Sequence, residues 1–196
     1  MVQLLKEMEE YAKENNIPIM MDDGLKFIED YIKKNNVKRI LEIGSAIGYS
    51  AIRMCLNENI CITTIERDEL RYKEAVKNIK KAKLENQITL IYDDALNIDL
   101  DEKYDLIFID AAKGQYIKFF EKFEKNLSEN GAIISDNLKF HGYTEQKERI
   151  KSKNLRQLVN KIRKYIEFLK ENNAYETTFY DIGDGIGVTK KRTDDC

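Results

Sequence analysis

The sequence predicts an α/β fold: a mostly parallel central sheet with helices on both faces, closed at its C-terminal edge by an antiparallel hairpin. Three observations carry this. Short apolar runs alternate with amphipathic helical patterns from residue 39 to residue 172, and a strand, a crossover helix and a further strand are what a parallel sheet requires. The first run ends in a glycine turn, Gly44-Ser45-Ala46-Ile47-Gly48, that opens a helix. Near the C-terminus, two further runs flank Gly183-Asp184-Gly185, and Asp-Gly is a signal of tight hairpins.

The elements follow in order. Leu4, Leu5, Met8, Tyr11 and Ala12, then Leu25, Phe27, Ile28, Tyr31 and Ile32, recur at helical spacing and predict two amphipathic helices within 1–36. A core at 37–196 comes after them. Its strands are expected at 39–43, 61–65, 88–92, 104–109 and 132–135, and its helices at 49–57, 69–82, 116–127 and 154–172. The tail strands are expected at 175–180 and 186–190. With 196 residues, 42% of them hydrophobic, one proline (Pro18) and no internal repeat, the chain reads as a single domain around one sizeable core.

Charge and cysteine content narrow the classes. Lys and Arg number 33 and Asp and Glu 35, a net charge of −2, so overall charge gives no reason to expect nucleic acid. Local clustering does. The stretch 147–170 holds nine basic residues against Glu148 and Glu167, a net +7. Because a solvated helix face usually mixes signs, Arg156, Lys161 and Lys164 are candidate phosphate contacts. The cysteines Cys55, Cys61 and Cys196 are odd in number and lack C-x-x-C spacing, which predicts neither a disulfide framework nor a zinc site and fits a reducing cytoplasm. The start MVQLLKEMEE is acidic and amphipathic, and no segment approaches the ~20 apolar residues of a membrane span. The expectation is a cytoplasmic protein with no membrane partner.

Ligand chemistry concentrates at the ends of the expected strands. The glycine turn permits close approach of a ligand to the backbone at a helix N-terminus, but its spacing is neither the dinucleotide fingerprint nor a phosphate loop. Glu66, at the end of the second strand, stands 24 residues after Glu42, where doubly wound folds carry an acid that accepts from ribose hydroxyls. Asp93-Asp94-Ala95 ends the third strand, either meeting an adenine edge or capping a helix. Asp110 ends the fourth and Asp136-Asn137 the fifth. Since ligands gather at the carboxyl ends of parallel strands, these three should converge, and hard oxygen donors are what Mg2+ prefers.

On LEIGSAIGYS, TIER, DDA, FIDAAKGQY, SDN and GDG, in that order, the sequence resembles the cation-dependent O-methyltransferases, which include the catechol and caffeoyl-CoA enzymes. The resemblance spans about residues 18–188 and implies a Rossmann-like class I methyltransferase fold, with S-adenosyl-L-methionine and Mg2+ as cofactors. It implies that Glu42, Gly44 and Ser50 hold the methionine portion, Glu66 the ribose, Asp94 and Ala95 the adenine, and that Met20 touches the cofactor. It implies Asp110, Asp136 and Asn137 as metal ligands, Asp110 also facing the cofactor, and Lys113 as general base. Bacterial members are commonly homodimers, with the N-terminal helices as a plausible interface. Ala111-Ala112 replaces the bulky His-Trp of the catechol enzymes, and the chain has no tryptophan. The run DAAKGQYIKFFE and the segment from Arg156 to GDG look more like the bacterial tRNA 5-hydroxyuridine methyltransferases. The implied substrate is therefore the wobble base of a tRNA anticodon loop, made into 5-methoxyuridine, with a catechol-like small phenol as the alternative. His141 is left without a role.

Overall fold

The computed structural model describes residues 1–56, 59–146 and 150–192. Asn57, Cys196 and, at the start of the basic stretch, Lys147, Glu148 and Arg149 lie outside the described residues. Two helices lead, α1 (Val2–Glu14) and α2 (Asp22–Lys34). The first turn of α2 carries Asp22 and Asp23 and its last turn Lys33 and Lys34, so both ends complement the helix dipole. Then come β1 (Arg39–Ile43), α3 (Tyr49–Cys55), β2 (Cys61–Glu66), α4 (Glu69–Ala82), β3 (Ile88–Tyr92) and β4 (Tyr104–Ile109). A 3-10 turn at Lys113–Gln115 leads into α5 (Tyr116–Phe123), followed by β5 (Leu127–Ser135), α6 (Lys153–Glu171), β6 (Tyr175–Tyr180) and β7 (Ile186–Lys191).

The seven strands form one sheet in the order β3-β2-β1-β4-β5-β7-β6. The first five are parallel, and β7 runs antiparallel between β5 and β6. Alternation along the strands divides the core in two. Ile40, Phe108 and Ile134 face one layer with α1 to α4, whereas Leu41, Ile107 and Ile133 face the other with α5 and α6. Among the described residues no helix is long and apolar enough to cross a membrane.

One expected boundary fails. The fifth strand was expected only from residue 132, because 128–131 is polar, and the preceding helix was expected to run to 127. Instead β5 begins at Leu127, which pairs with Tyr104 across an irregular register. α5 passes at Phe123 into a 3-10 turn, Glu124–Asn126, and Asn126 Nδ2 donates to the carbonyls of Leu100 (2.6 Å) and Glu102 (2.9 Å), anchoring the chain beside β4 where the helical winding ends. Regular pairing with β4 resumes at Ala132, opposite Leu106, after the polar residues 128–131.

A buried polar contact ties the second layer to the strand end that matters most below. Ser135 Oγ and Tyr165 Oη, both fully buried, lie 2.7 Å apart, and Tyr165 packs edge-on against Tyr116. Tyr165→Phe should leave the Ser135 hydroxyl buried without that partner and cost about 1–3 kcal/mol in urea unfolding, most of it recovered when Ser135→Ala is added. A single variant as stable as the parent would mean that the contact contributes nothing net.

Candidate active site

The carboxyl ends of the parallel strands stay in register beyond the sheet. The amide of Gly44 donates to Ile65 O, that of Asp110 to Ile43 O, that of Asp136 to Ile109 O and that of Asp93 to Glu66 O, at 3.0–3.3 Å. Residues from five strands therefore open into one cleft of about 480 Å³, within the range of small-ligand sites. Gly44 makes the convergence possible. Its φ is +97°, and a Cβ there would stand 2.4 Å from the carbonyl oxygen of Asp110, so β1 and β4 can meet only with glycine at this position.

One end of the cleft is built around that turn. Gly44, Ser45, Ser50, Glu66, Asp94, Ala95 and Met20 all line it. Glu66 Oε2 accepts from the amide of Ala46 and Oε1 from that of Asp68, both at 2.8 Å, so its carboxylate shapes the turn while facing the cleft. Asp94 accepts from the Leu96 amide and from Arg67; these contacts hold its pKa below the usual carboxylate value against the opposing effect of burial. Ser45 Oγ is buried with no partner among the described residues, a hydroxyl suited to a polar ligand. Glu42 is not on the cleft wall. It lies beneath it, fully buried, accepting from Ser50 Oγ and Thr64 Oγ1 at 2.5 Å each, and acts on the cleft through Ser50.

The other end gathers oxygen. Asp110, Asp136 and Asn137 line it together with Lys113 and Asp184. Burial raises the pKa of Asp110, with Lys113 opposing. Burial pushes Asp136 up to about 7, and the neighbouring Asp110 adds to the rise. Two such carboxylates with one ammonium beside them form a donor set that fits a hard divalent cation. Among the described residues no three His, Cys, Asp or Glu side chains are grouped to share an ion. A cation here would use the two aspartates and draw on Asn137 and on water or substrate oxygens. Lys113 Nζ lies 5.9 Å from the centroid of Phe140.

Asp184 was given no role at the site by sequence reading, which took Gly183-Asp184-Gly185 as a hairpin turn and as one of the motifs of the resemblance. The turn forms, but it points its aspartate inward, where Oδ1 accepts the amide of His141 (2.5 Å) and Oδ2 that of the Asn137 side chain (3.4 Å). An acid between two glycines was the available signal. Thr64 was missed too, and nothing distinguished it from an ordinary strand residue.

Residues 1–192 match the family model described as O-methyltransferase. The chain belongs to the O-methyltransferase family. It is 30% identical to tapetum-specific methyltransferase 1 of Arabidopsis thaliana, across 96% of this chain and 86% of that one. A Staphylococcus aureus crystal structure, provisionally described as a caffeoyl-CoA O-methyltransferase, superposes with a TM-score of 0.90 at 39% identity, covering 96% and 92% of the two chains. A SAH-bound methyltransferase of Podospora anserina gives 0.87 at 23% identity over 97% and 88%, a likeness of fold.

In this O-methyltransferase the basic helix α6 divides by use. Lys164 is exposed. Lys161, also exposed, lies over Gly114, where an added Cβ would come 3.2 Å from its Nζ, so this ammonium borders the turn that carries Lys113. Arg156 donates to Ile150 O (3.0 Å). Arg163 donates through Nε and Nη2 to the backbone carbonyls of Tyr143, Thr144 and Gln146.

Glu42 gives the family member a pH signature. Burial pushes its carboxyl up to about 7 against the lowering effect of Ser50 and Thr64, and Asp110 and Glu66 add to the rise. The folded, ligand-free protein therefore keeps a proton that the unfolded chain releases near 4.5. The stability contributed is full at low pH and declines as pH rises to about 7. Glu42→Gln should remove the decline, gaining on the parent by about 3 kcal/mol between pH 4.5 and pH 8 in urea unfolding. A difference that does not vary with pH would mean Glu42 is ionised in the fold.

Proposed function

We propose that this protein transfers a methyl group from S-adenosyl-L-methionine to a hydroxyl that lies beside a second oxygen on a planar ring, with the help of a divalent cation, Mg2+ being the expected one. The observation that carries the reading is the single cleft that joins the Gly44 turn to the Asp110, Asp136 and Asn137 oxygens. The glycine turn with Ser50 and the unpartnered Ser45 hydroxyl suits an amino-acid moiety, Glu66 suits ribose, and Asp94 with Ala95 suits adenine; Met20 closes the same end. The ligand of the Podospora relative, SAH, is the demethylated product of that cofactor.

A divalent cation held by Asp110, Asp136 and Asn137 supplies Lewis acidity that lowers the pKa of an acceptor hydroxyl. Asp110, Asp136 and Asn137 would hold that cation at the end of the cleft where Lys113 stands. With its Nζ in the neutral amine form, Lys113 takes the hydroxyl proton as the hydroxyl oxygen displaces the methyl group from the sulfonium, which leaves as the thioether. Asp184 fixes the loop that follows Asn137 by binding the His141 amide. Rate enhancement then rests on positioning and charge stabilisation, with no covalent enzyme intermediate.

For the acceptor we favour 5-hydroxyuridine in a tRNA anticodon loop, whose 4-carbonyl and 5-hydroxyl are vicinal. Support comes from the exposed cations of α6 and from the small Ala111-Ala112 pair on the cleft wall. An anticodon-loop base is already unpaired, so entry into a pocket costs little. A small phenol is the second reading, favoured by the description of the Staphylococcus relative. Homodimerisation through the N-terminal helices belongs to the same proposal and is read by light scattering.

The deciding experiment supplies labelled cofactor, Mg2+ and either tRNA bearing 5-hydroxyuridine or a panel of catechols. Label in the nucleoside digest supports the tRNA reading, and label only in catechols supports the other. Excess chelator, Asp110→Ala or Asp136→Ala should each reduce turnover by at least about a hundredfold. Full turnover in chelator sinks the cation mechanism, and Lys113→Ala tests the base separately.

Replacing Arg156, Lys161 and Lys164 by Glu should weaken tRNA binding and flatten its log-log salt dependence by about 0.7–0.9 per lost phosphate contact, leaving cofactor affinity unchanged. The difference should shrink at high salt. Equal methylation of tRNA by variant and parent at physiological salt would reduce α6 to a solvated face.

A further inference from the structure

The segment after Asn137 is wound in an unusual way. Phe140, His141 and Gly142 have φ values of +46°, +55° and +78°, and Asn137 itself +60°. Left-handed backbone is costly for a bulky residue such as Phe and survives only where surroundings enforce it. Phe140 and His141 both line the cleft on the Lys113 side. The strained run is thus part of the wall that an acceptor would meet.

Arg163, on α6, carries much of the enforcement. Its Nε donates to Thr144 O (3.0 Å), and its Nη2 to Tyr143 O (3.1 Å) and Gln146 O (2.8 Å). The captured turn folds back in its own right, because Thr144 Oγ1 donates to the carbonyls of Leu138 and Lys139 at 2.9 Å and its amide to Lys139 O at 3.2 Å. Asp184 holds the near side through the His141 amide. A planar guanidinium is the side chain suited to several carbonyls at fixed angles, and an ammonium is not an equivalent replacement.

We propose that Arg163 is a positioning residue for the acceptor: by clamping Tyr143, Thr144 and Gln146 from α6 it holds Phe140 against Lys113, and it is not one of the phosphate contacts of the basic helix. The proposal rests on the reading that the Lys113 end of the cleft receives the acceptor. Its consequence is that one helix serves two purposes. Lys161 and Lys164 face outward, whereas Arg163 preserves the shape of the wall.

The test is a double-mutant cycle with a structural readout beside it. In Arg163→Ala, kcat/KM for the acceptor should fall at least about tenfold, mainly through KM, with the calorimetric cofactor Kd within about twofold of the parent. Arg163→Lys should restore only part of the loss. In a Phe140→Ala background, Arg163→Ala should cost little more, since it acts through that ring, and its effect should not depend on salt. Hydrogen exchange of the amides of 138–146 should quicken in Arg163→Ala while β1 to β5 keep their protection. Additive losses, or a loss that shrinks at high salt, would make Arg163 a direct substrate contact and overturn the proposal, as would unchanged exchange. If the parent methylates neither hydroxylated tRNA nor catechols, the functional reading fails while the exchange measurement still decides whether Arg163 holds the loop.

Discussion

The site depends on how closely two strands can meet. β1 and β4 are neighbours in the sheet, and the chain leaves β1 through Gly44 immediately against the carbonyl of Asp110. Any side chain at residue 44 would occupy the space of that carbonyl, in a backbone region that disfavours all residues but glycine. Because the contact is tight, the turn that opens α3 and the oxygen cluster after β4 share one cleft. The further strand ends follow through the amide bonds that extend the ladder from Ile65, Ile43, Ile109 and Glu66. Nothing else in the fold would bring Glu66, Asp110 and Asp136 to the same cavity.

That convergence has an electrostatic cost. Glu42, Asp110 and Asp136 all sit where burial raises their pKa values, and Asp110 raises those of Glu42 and Asp136 further. Glu66 and Asp184 add negative charge around them, and Lys113 is the cation that lowers both Asp110 and Asp136. Stability alone would not favour such an arrangement, since apolar residues could pack the same layer without desolvated acids. A divalent cation held between Asp110 and Asp136 would relieve it.

The cleft wall beside Lys113 is strained in backbone conformation as well. The left-handed run at 140–142 depends on Asp184 from the β6–β7 turn and Arg163 from α6. Both lie far along the chain from the loop they hold, so the C-terminal hairpin and α6 do more than complete the sheet. They fix the wall opposite the cofactor turn.

Local pattern in the sequence determined much of this. Apolar runs located β1 and β4 to the residue, because central strands buried on both faces leave an unmistakable apolar signature; the edge strands β3 and β6, more exposed, also fall where their own patterns and flanking turns put them. Glycine and acid positions at strand ends located Gly44, Glu66, Asp110 and Asp136, because parallel topology sends all strand ends to one side. The early start of β5 could not be read, because it is set by the bonds of Asn126 to the carbonyls of Leu100 and Glu102, more than 20 residues away, rather than by the pattern of residues 128–131. Nor could the depth of Glu42, the inward turn of Asp184 or the division of labour on α6. A run of basic residues reads as one charged face, and only tertiary contacts decide that Arg163 spends its donors on backbone carbonyls while Lys164 stays in solvent. Charge is a property of the residue, but the partner that a charge finds is a property of the fold.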